Sequence, residues 1–206
     1  ISHIGILVTR SPKTGPEFID RWIAISINAS IEPFIIFNKI DSLEENAFSK
    51  EKNVYGNIGI KTFEISAKFL THLNHLKEFL AKKTTMFVGN SGSGKSTLTS
   101  AITGKKILSR DLSNNQGVHT TSVSTLYNTH NMQLIDSPGV RDVSLDHLEP
   151  KKIIRGFTEI FNFSTKCEFS NCNHKNDQGC AVMKAVRNGE IEESRYNNFI
   201  VLSQKN

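Results

Sequence analysis

Short apolar runs recur along the chain and alternate with stretches of helical spacing. Apolar residues return at intervals of three or four after Pro16 and again over 73–80, as on the buried face of a helix. Short apolar runs predict buried parallel strands at residues 4–8, 34–37, 63–66, 86–88 and 133–136. Strands and helices in alternation predict an α/β protein built on a parallel sheet.

The alternation stops near residue 142, and the C-terminal part of the chain follows a different pattern. Residues 113–123 have no clean period and predict a mobile loop. Beyond a cysteine-rich segment, the sequence predicts a helical tail that contains Ala181, Val182, Ala185 and Val186. We therefore predict an α/β domain over residues 1–145 and a small, mainly helical module over residues 146–206.

Composition and charge narrow the function classes without choosing one. The 206 residues are 37% hydrophobic and 22% charged, as in ordinary globular proteins, and no apolar run is long enough to predict a membrane span. The N-terminus lacks the features of a signal peptide and an initiator Met, so we expect the chain to begin inside a longer or processed protein. A net charge of +5 permits a polyanionic partner such as RNA.

The stretch GNSGSGKS follows the fourth predicted strand and matches the pattern of a phosphate-binding loop. Glycines let the backbone turn its N–H groups towards phosphate oxygens, and the helix that follows directs its positive end to the same place. Lys95 is predicted to neutralise the β and γ phosphates, and the Ser96 hydroxyl to ligate Mg²⁺. The predicted phosphate-binding residues are Gly89, Asn90, Ser91, Gly92, Ser93, Gly94, Lys95, Ser96 and Thr97.

Two further motifs favour guanine over adenine as the base. NKID (Asn38, Lys39, Ile40 and Asp41) directly follows the second predicted strand. The carboxylate of Asp41 can accept hydrogen bonds from guanine N1–H and N2–H₂, whereas adenine has no donor at N1. Asn38 can reach the N7/O6 side, and the Lys39 stem can lie over the base or ribose. A second base-contacting loop is predicted at Ser66, Ala67 and Lys68, with the Ala67 N–H donating to guanine O6.

The third group of motifs predicts contacts to the γ-phosphate and Mg²⁺. DSPG supplies Asp136 as a magnesium ligand and Gly139 as an N–H donor to the γ-phosphate. Either Thr120 or Thr121 is expected to close over Mg²⁺, with Thr121 slightly favoured. No glutamine follows Gly139, because the next residues are Val140, Arg141 and Asp142. His119 is the local candidate for positioning the attacking water, and an ordinary loop histidine is the alternative.

The order of these motifs is itself informative. They run base, base, phosphate loop, threonine loop, D-x-x-G, whereas ordinary GTPases begin with the phosphate loop. The sequence therefore predicts a P-loop sheet whose GTPase motifs are circularly permuted, with GTP or GDP and Mg²⁺ as ligands. Permutation is physically allowed because domain termini commonly lie close together at the surface.

All three cysteines of the chain fall in one short segment together with a histidine. Cys167, Cys172, His174 and Cys180 form the pattern C-x₄-C-x-H-x₅-C. Three thiolates and one imidazole suit a tetrahedral structural Zn²⁺ that leaves no position open for catalysis. The alternative is three unligated thiols beside a polar histidine.

Taken together, NKID, SAK, GNSGSGKST, HTT and DSPGV, followed by the Cys/His cluster, resemble the RsgA/YjeQ family of small-subunit-dependent GTPases. The resemblance implies GTP hydrolysis stimulated by the small (30S) ribosomal subunit, a role in its late maturation, and its rRNA as the partner surface. It implies a part for His119 in hydrolysis, and Val140 fits a class with an apolar residue in place of glutamine.

Family members also carry an N-terminal OB-fold that binds RNA. The resemblance implies that this chain starts after that fold, so we expect either a fragment or a member that lacks the module. The candidate RNA contacts within this chain are then Lys151, Lys152 and Arg155, together with the zinc module. We expect a cytoplasmic bacterial monomer, or an organellar one if the source is eukaryotic, with neither a membrane nor DNA as partner. An alternative function is a nucleotide-gated RNA-binding or ribosome-binding module with negligible turnover. A metabolic kinase is a third, but it leaves NKID and SAK unexplained.

The first prediction concerns the choice of base. Asp41→Asn should weaken GTP binding by about 1–3 kcal/mol, because one bidentate base contact is lost, and should favour xanthosine nucleotides. Titration with GTP, ATP and xanthosine triphosphate measures the change, and Glu44→Gln is the matched control nearby in the chain. Equal affinity of the unmodified protein for ATP and GTP would contradict the prediction.

Overall fold

A computed structural model of the protein describes residues 1–105, 107, 124–129, 131–137, 145 and 148–204. Its centre is a six-stranded sheet in which every neighbouring pair but one is parallel. The strands are β1 (His3–Val8), β2 (Glu32–Asn38), β3 (Lys61–Ile65), β4 (Thr84–Val88), β5 (Thr125–Asn128) and β6 (Gln133–Asp136). They lie in the order β3-β2-β1-β4-β6-β5, and β5 is the antiparallel edge strand.

Helices connect the strands in the first part of the chain and make up most of the last part. Pro16, which fixes its own backbone dihedral and has no N–H to leave unpaired, is the first helical residue, as predicted. No helix in the described part of the chain is long and apolar enough to cross a membrane. The helices are α1 (Pro16–Asn28), α2 (Ser49–Asn57), α3 (Leu73–Leu80), α4 (Lys95–Thr103), α5 (Pro150–Ile153), α6 (Thr158–Ser164), α7 (Ala181–Arg187) and α8 (Glu193–Gln204).

The five predicted strands are confirmed, with bounds that shift by one or two residues at most ends. Two elements were not predicted. β5 is short and mostly exposed, so its sequence carries no apolar run, and it is held by a turn in which the Thr129 N–H donates to Met132 O. α2 is polar on nearly every side and buries only Tyr55. The loop predicted at 113–123 lies outside the described residues.

The strand order explains where a ligand site can form. β1 and β4 are neighbours in the sheet, and the chain builds outward from β1 through β2 and β3, then from β4 to β6. In open parallel sheets, ligands bind beyond the carboxyl ends of the strands near such a change of direction. The predicted nucleotide motifs follow the carboxyl ends of β2, β3, β4 and β6.

The chain divides into two compact units. The first unit comprises Ile1–Thr14, Ile31–Gly56 and Ile60–Asp142, and the second comprises Gly15–Ser30, Asn57–Gly59 and Val143–Asn206. Helix α1 therefore belongs to the second unit, although it lies between β1 and β2 in the sequence. The functional division into domains 1–145 and 146–206 stays a prediction.

Each unit has its own apolar core. In the first unit, side chains from β1, β2, β3, β4 and β6 pack with those of α3 and α4. In the second unit, the core joins α6, α7 and α8, and Ile25 of α1 packs against it. The fully buried members of the second core include Ile153, Phe157, Ile160, Val182 and Ala185.

Within the second unit, Gly156 lies directly against α1. A Cβ added there would collide with the Cα and Cβ of Ala24. The collision involves a helix backbone, so it cannot be relieved by rotating a side chain. The absence of a side chain at Gly156 therefore lets the segment after α5 approach α1 closely.

The second prediction tests this packing. Gly156→Ala should lower the free energy of unfolding by about 1–3 kcal/mol, because the added methyl group overpacks the contact with Ala24. Chemical denaturation followed by circular dichroism measures the change. Gly56→Ala, in α2, is the matched control, since a Cβ there meets nothing within 4 Å. Equal stability of the two variants would contradict the prediction.

Candidate nucleotide and metal sites

The NKID segment leaves β2 and turns sharply at once. Lys39 adopts a left-handed conformation (φ +66°), and Ile40 begins a 3₁₀ turn that carries Asp41 to an exposed position. Ser66, in the loop after β3, donates its hydroxyl hydrogen to Asp41 Oδ1. The predicted base-reading carboxylate is therefore oriented by the second predicted base loop, and one of its oxygens already has a partner.

Asn38 joins three of the predicted nucleotide loops through one buried amide. Its Nδ2 donates to the Ser93 carbonyl oxygen at 2.9 Å, and its Oδ1 accepts from the Ala67 N–H at 3.0 Å. The side chain is 1% exposed. A direct contact from Asn38 or the Ala67 N–H to guanine stays a prediction; the observed role of this amide is to hold the loops together.

Gly94 illustrates how tightly these loops meet. Its φ is +94°, a conformation that favours glycine, and a Cβ there would collide with Asn38 Nδ2. The glycine of the motif thus serves the base loop as well as the phosphate loop.

A cavity of about 330 Å³ lies among these loops, within the size range of ligand pockets. Its position matches the predicted base site, because residues from all three motifs line it. They include Lys39, Asp41, Ala67, Lys68, Gly94 and Thr97.

The phosphate loop joins β4 to α4, and Lys95 is the first residue of that helix. Lys95 Nζ donates to the carbonyl oxygens of Gly89 (2.7 Å) and Asn90 (3.0 Å), so the ammonium lies inside the loop. Burial lowers the pKa of Lys95, and the Asp136 carboxylate opposes that shift. A phosphate in the loop would supply the negative charge that this cation lacks.

Ser96 and Asp136 form the predicted magnesium pair. Ser96 Oγ donates to Asp136 Oδ2 at 3.1 Å, so the two oxygens already lie close together. Burial raises the pKa of Asp136, against the opposing effects of the Ser96 hydrogen bond and the Lys95 charge. Asp136 Oδ1 is buried without a hydrogen-bond partner among the described residues. These oxygen donors fit Mg²⁺, which binds through one or two protein oxygens and nucleotide phosphates.

The other predicted γ-phosphate residues cannot be placed. His119, Thr120, Thr121 and Gly139 lie outside the described residues. Their proposed roles therefore rest on the sequence alone.

The structure adds a segment that the sequence analysis missed, the loop Thr9–Thr14 after β1. Lys39 Nζ donates to the Ser11 carbonyl oxygen at 2.8 Å, and Asn90 Nδ2 donates to the Lys13 carbonyl oxygen at 3.5 Å. The loop therefore touches both the base loop and the phosphate loop. The sequence did contain one signal for this loop: it follows the carboxyl end of a buried strand, where ligand sites form in parallel sheets.

The second predicted site lies in the second unit. The ligand atoms of Cys167, Cys172, His174 and Cys180 all lie within 4.8 Å of one another. His174 Nδ1 is 3.6 Å from Cys167 Sγ and 3.7 Å from Cys180 Sγ. Tetrahedral zinc with ordinary bond lengths requires about 3.6 Å between a nitrogen and a sulfur ligand. The donor set and its spacing therefore fit Zn²⁺.

The surroundings of the cluster hold its ligands in place. The Met183 N–H donates to Cys180 Sγ at 3.4 Å, and Tyr196 Oη donates to the His174 carbonyl oxygen at 2.8 Å. Burial raises the pKa of the Cys172 thiol to about 12, so without a metal this thiol stays protonated at neutral pH. Zinc would have to displace that proton, and its affinity should therefore fall in acid.

Comparison with known proteins decides the family. The model of the RsgA GTPase family matches residues 1–146. The chain belongs to the RsgA GTPase family. It is therefore a GTPase that takes a guanine nucleotide, and the resemblance expected from its motifs is confirmed.

Solved structures extend the likeness to the whole chain. YjeQ from Thermotoga maritima is 30% identical, with a TM-score of 0.81; the match covers 100% of this chain and 71% of that one. YloQ, described as a circularly permuted GTPase, is 23% identical with a TM-score of 0.80, covering 100% of this chain and 68% of its own. The second match supports the fold. The α/β sheet with permuted motifs and a C-terminal Cys/His region is thus confirmed for this RsgA-family chain.

The third prediction concerns the partly buried carboxylate of Asp136. Asp136→Asn should leave the melting temperature of the nucleotide-free protein equal to or above that of the unmodified protein at pH 7.5, because it removes a desolvated charge. The pKa of Asp136 is raised on folding, so the unmodified protein recovers stability as the pH falls through that pKa, and the difference should shrink. The same variant should lose Mg²⁺-dependent GTP binding.

Thermal denaturation at two pH values and nucleotide titration with and without Mg²⁺ measure both effects. Glu45→Gln, at an exposed loop position, is the control. A melting temperature several degrees below that of the unmodified protein would contradict the prediction.

Proposed function

We propose that this GTPase acts as a switch on the assembling small (30S) ribosomal subunit during its late maturation, and that the subunit stimulates hydrolysis. The proposal rests on membership of the RsgA family and on one observation above the others. The buried amide of Asn38 brings both base loops and the phosphate loop to a single cavity. That arrangement suits a protein whose loops must respond together to one nucleotide.

The residues have separate roles in this proposal. Asp41 reads the base, with Ser66 fixing its orientation, while Lys95 and the loop from Gly89 bind the phosphates. Ser96 and Asp136 would hold Mg²⁺ with Thr121 or Thr120, and the ion would neutralise charge on the β and γ phosphates. The Gly139 N–H would donate to the γ-phosphate.

His119 is proposed to position the attacking water, because Val140, and no glutamine, follows Gly139 in the sequence. In this proposal the subunit would fix this histidine beside the attacking water. Slow intrinsic turnover and strong stimulation would both follow.

The second unit carries the proposed contact to rRNA. Lys151, Lys152 and Arg155 are exposed on α5 and the 3₁₀ turn after it, and Lys152 Nζ lies 3.6 Å from Glu149 Oε1. Phosphate groups attract such exposed cations, in a salt-dependent way. The Cys/His cluster is proposed to hold one structural Zn²⁺ that fixes this unit. We place the protein in the bacterial cytoplasm, or in an organelle of a eukaryotic source.

The fourth prediction tests the function directly. GTP hydrolysis by the protein alone should be slow, on the order of 10⁻⁴ to 10⁻³ s⁻¹, and purified small subunits should raise the rate at least about tenfold. Phosphate release at equal concentrations of small or large subunits measures the effect. No stimulation by small subunits, with GTP still bound, would favour the nucleotide-gated binding module instead.

A matched pair of variants tests the role of the histidine. His119→Ala should lower the stimulated rate by about 100-fold, as for loss of a general acid–base or water-positioning group, while GTP affinity is kept. His75→Ala, at an exposed position on α3, is the control. Full stimulation of the His119 variant would remove this residue from the proposal.

A further inference from the structure

Arg195 is a cation buried in the core of the second unit. It is 1% exposed, and its guanidinium lies 4.4 Å from the centre of the Phe157 ring. It donates to Asp20 Oδ1 at 2.6 Å, to the two carboxylate oxygens of Glu159 at 2.8 and 3.1 Å, and to the Gly156 carbonyl oxygen at 3.2 Å. A buried cation with this many partners fixes the relative positions of the segments that supply them.

Among these partners, Asp20 lies on α1. Asp20 is fully buried, and its second oxygen accepts from Asn198 Nδ2 at 2.6 Å. Two residues of α8 therefore hold one carboxylate of α1. Losing either donor would leave a buried charge with fewer hydrogen bonds, which is strongly unfavourable.

The same helix also reaches the Cys/His cluster. Tyr196, next to Arg195, donates to the carbonyl oxygen of His174, whose own backbone is left-handed (φ +63°). Consecutive residues of α8 thus contact α1 and the backbone of a proposed zinc ligand. Collapse of the cluster would displace α8 at the point where it holds Asp20.

At its N-terminal end, α1 is joined to the Thr9–Thr14 loop through its N-cap residue, Gly15. That loop is closed on itself: the Thr14 N–H donates to Thr9 O at 2.9 Å, the Thr9 N–H to Thr14 Oγ1 at 3.2 Å, and Thr9 Oγ1 to Pro12 O at 2.6 Å. These hydrogen bonds tie Thr9 to Pro12 and Thr14 within the loop. It is also the segment whose carbonyl groups accept from Lys39 and Asn90 of the nucleotide loops.

We propose that Arg195 is a positioning residue that couples metal binding at the Cys/His cluster to guanine nucleotide binding, through Asp20, helix α1 and the Thr9–Thr14 loop. The proposal rests on the nucleotide and zinc sites of the proposed function. Coupling between two binding sites is reciprocal, so each ligand should change the affinity for the other by the same factor. We expect a factor of about five or more.

The fifth prediction is this linkage, measured on the full chain. Zinc-loaded protein, carrying about one zinc per chain, should bind a fluorescent GDP at least about fivefold more tightly than protein stripped with a chelator. Saturating GDP should lower the equilibrium loss of zinc to a chromogenic chelator by a similar factor.

Asp20→Asn tests the proposed coupling through α1. The substitution leaves Arg195 in contact with Glu159 and the Gly156 carbonyl oxygen. The zinc-loaded variant should stay folded and keep its zinc, yet bind GDP as weakly as the stripped unmodified protein, and stripping it should cause no further loss. Tyr196→Phe should reduce the linkage in part. Glu149→Gln, which removes an exposed ion pair with Lys152, should leave the linkage intact.

Three outcomes of these measurements can be distinguished. A merely structural Asp20–Arg195 pair would lower the melting temperature of the zinc-loaded variant while leaving its affinity for GDP unchanged, and that result would overturn the proposal. Equal GDP affinity of zinc-loaded and stripped unmodified protein would also overturn it. Failure of the zinc-loaded unmodified protein to bind any guanine nucleotide would instead refute the proposed function.

Discussion

The nucleotide site depends on one buried side-chain amide. Asn38 donates to the phosphate loop and accepts from the second base loop, and Gly94 leaves the space that this contact needs. Each of these loops ends a different strand, so the sheet alone fixes their starting points but not their tips. A group with one donor and one acceptor in use can satisfy both loops without carrying a net charge. The amide therefore sets the geometry of the cavity into which Asp41 and Lys68 are brought.

On the phosphate side of the site, the central side chains are charged, unlike the neutral amide of Asn38. Lys95 is buried and Asp136 is partly buried, and burial shifts the pKa of each towards its neutral form. Burial therefore disfavours the charged form of each side chain, and phosphate oxygens with Mg²⁺ would supply further partners for them. Functional sites commonly hold such locally unfavourable arrangements, which the rest of the fold supports.

Much of the site could be predicted from the sequence because its chemistry is encoded over short spacings. Each motif occupies a short stretch of sequence, and the apolar runs predict the strands that precede the nucleotide motifs. This holds for NKID, SAK and the phosphate loop, and the Cys/His cluster is equally short. The grouping of α1 with the C-terminal residues could not be predicted, because Asp20 and Arg195 are 175 residues apart and each looks like an ordinary surface charge. The Thr9–Thr14 loop was not predicted as part of the site for a related reason. It contacts the nucleotide loops through backbone carbonyl groups, and these contacts do not depend on residue type. β5 was missed because an exposed edge strand needs no apolar pattern.

The permuted order also has a consequence for how the protein is made. As the chain leaves the ribosome, β1, β2 and β3 emerge before the phosphate loop, so the base-reading half of the sheet is complete first. The Asn38 oxygen meets the Ala67 N–H 29 residues later, but its nitrogen must wait for Ser93, 55 residues on. β1 likewise has β2 on one side early, while its other edge stays open until β4 is synthesised. A nascent chain of this kind therefore exposes a central strand edge and a polar amide for part of its synthesis, and the arrival of the phosphate loop closes both.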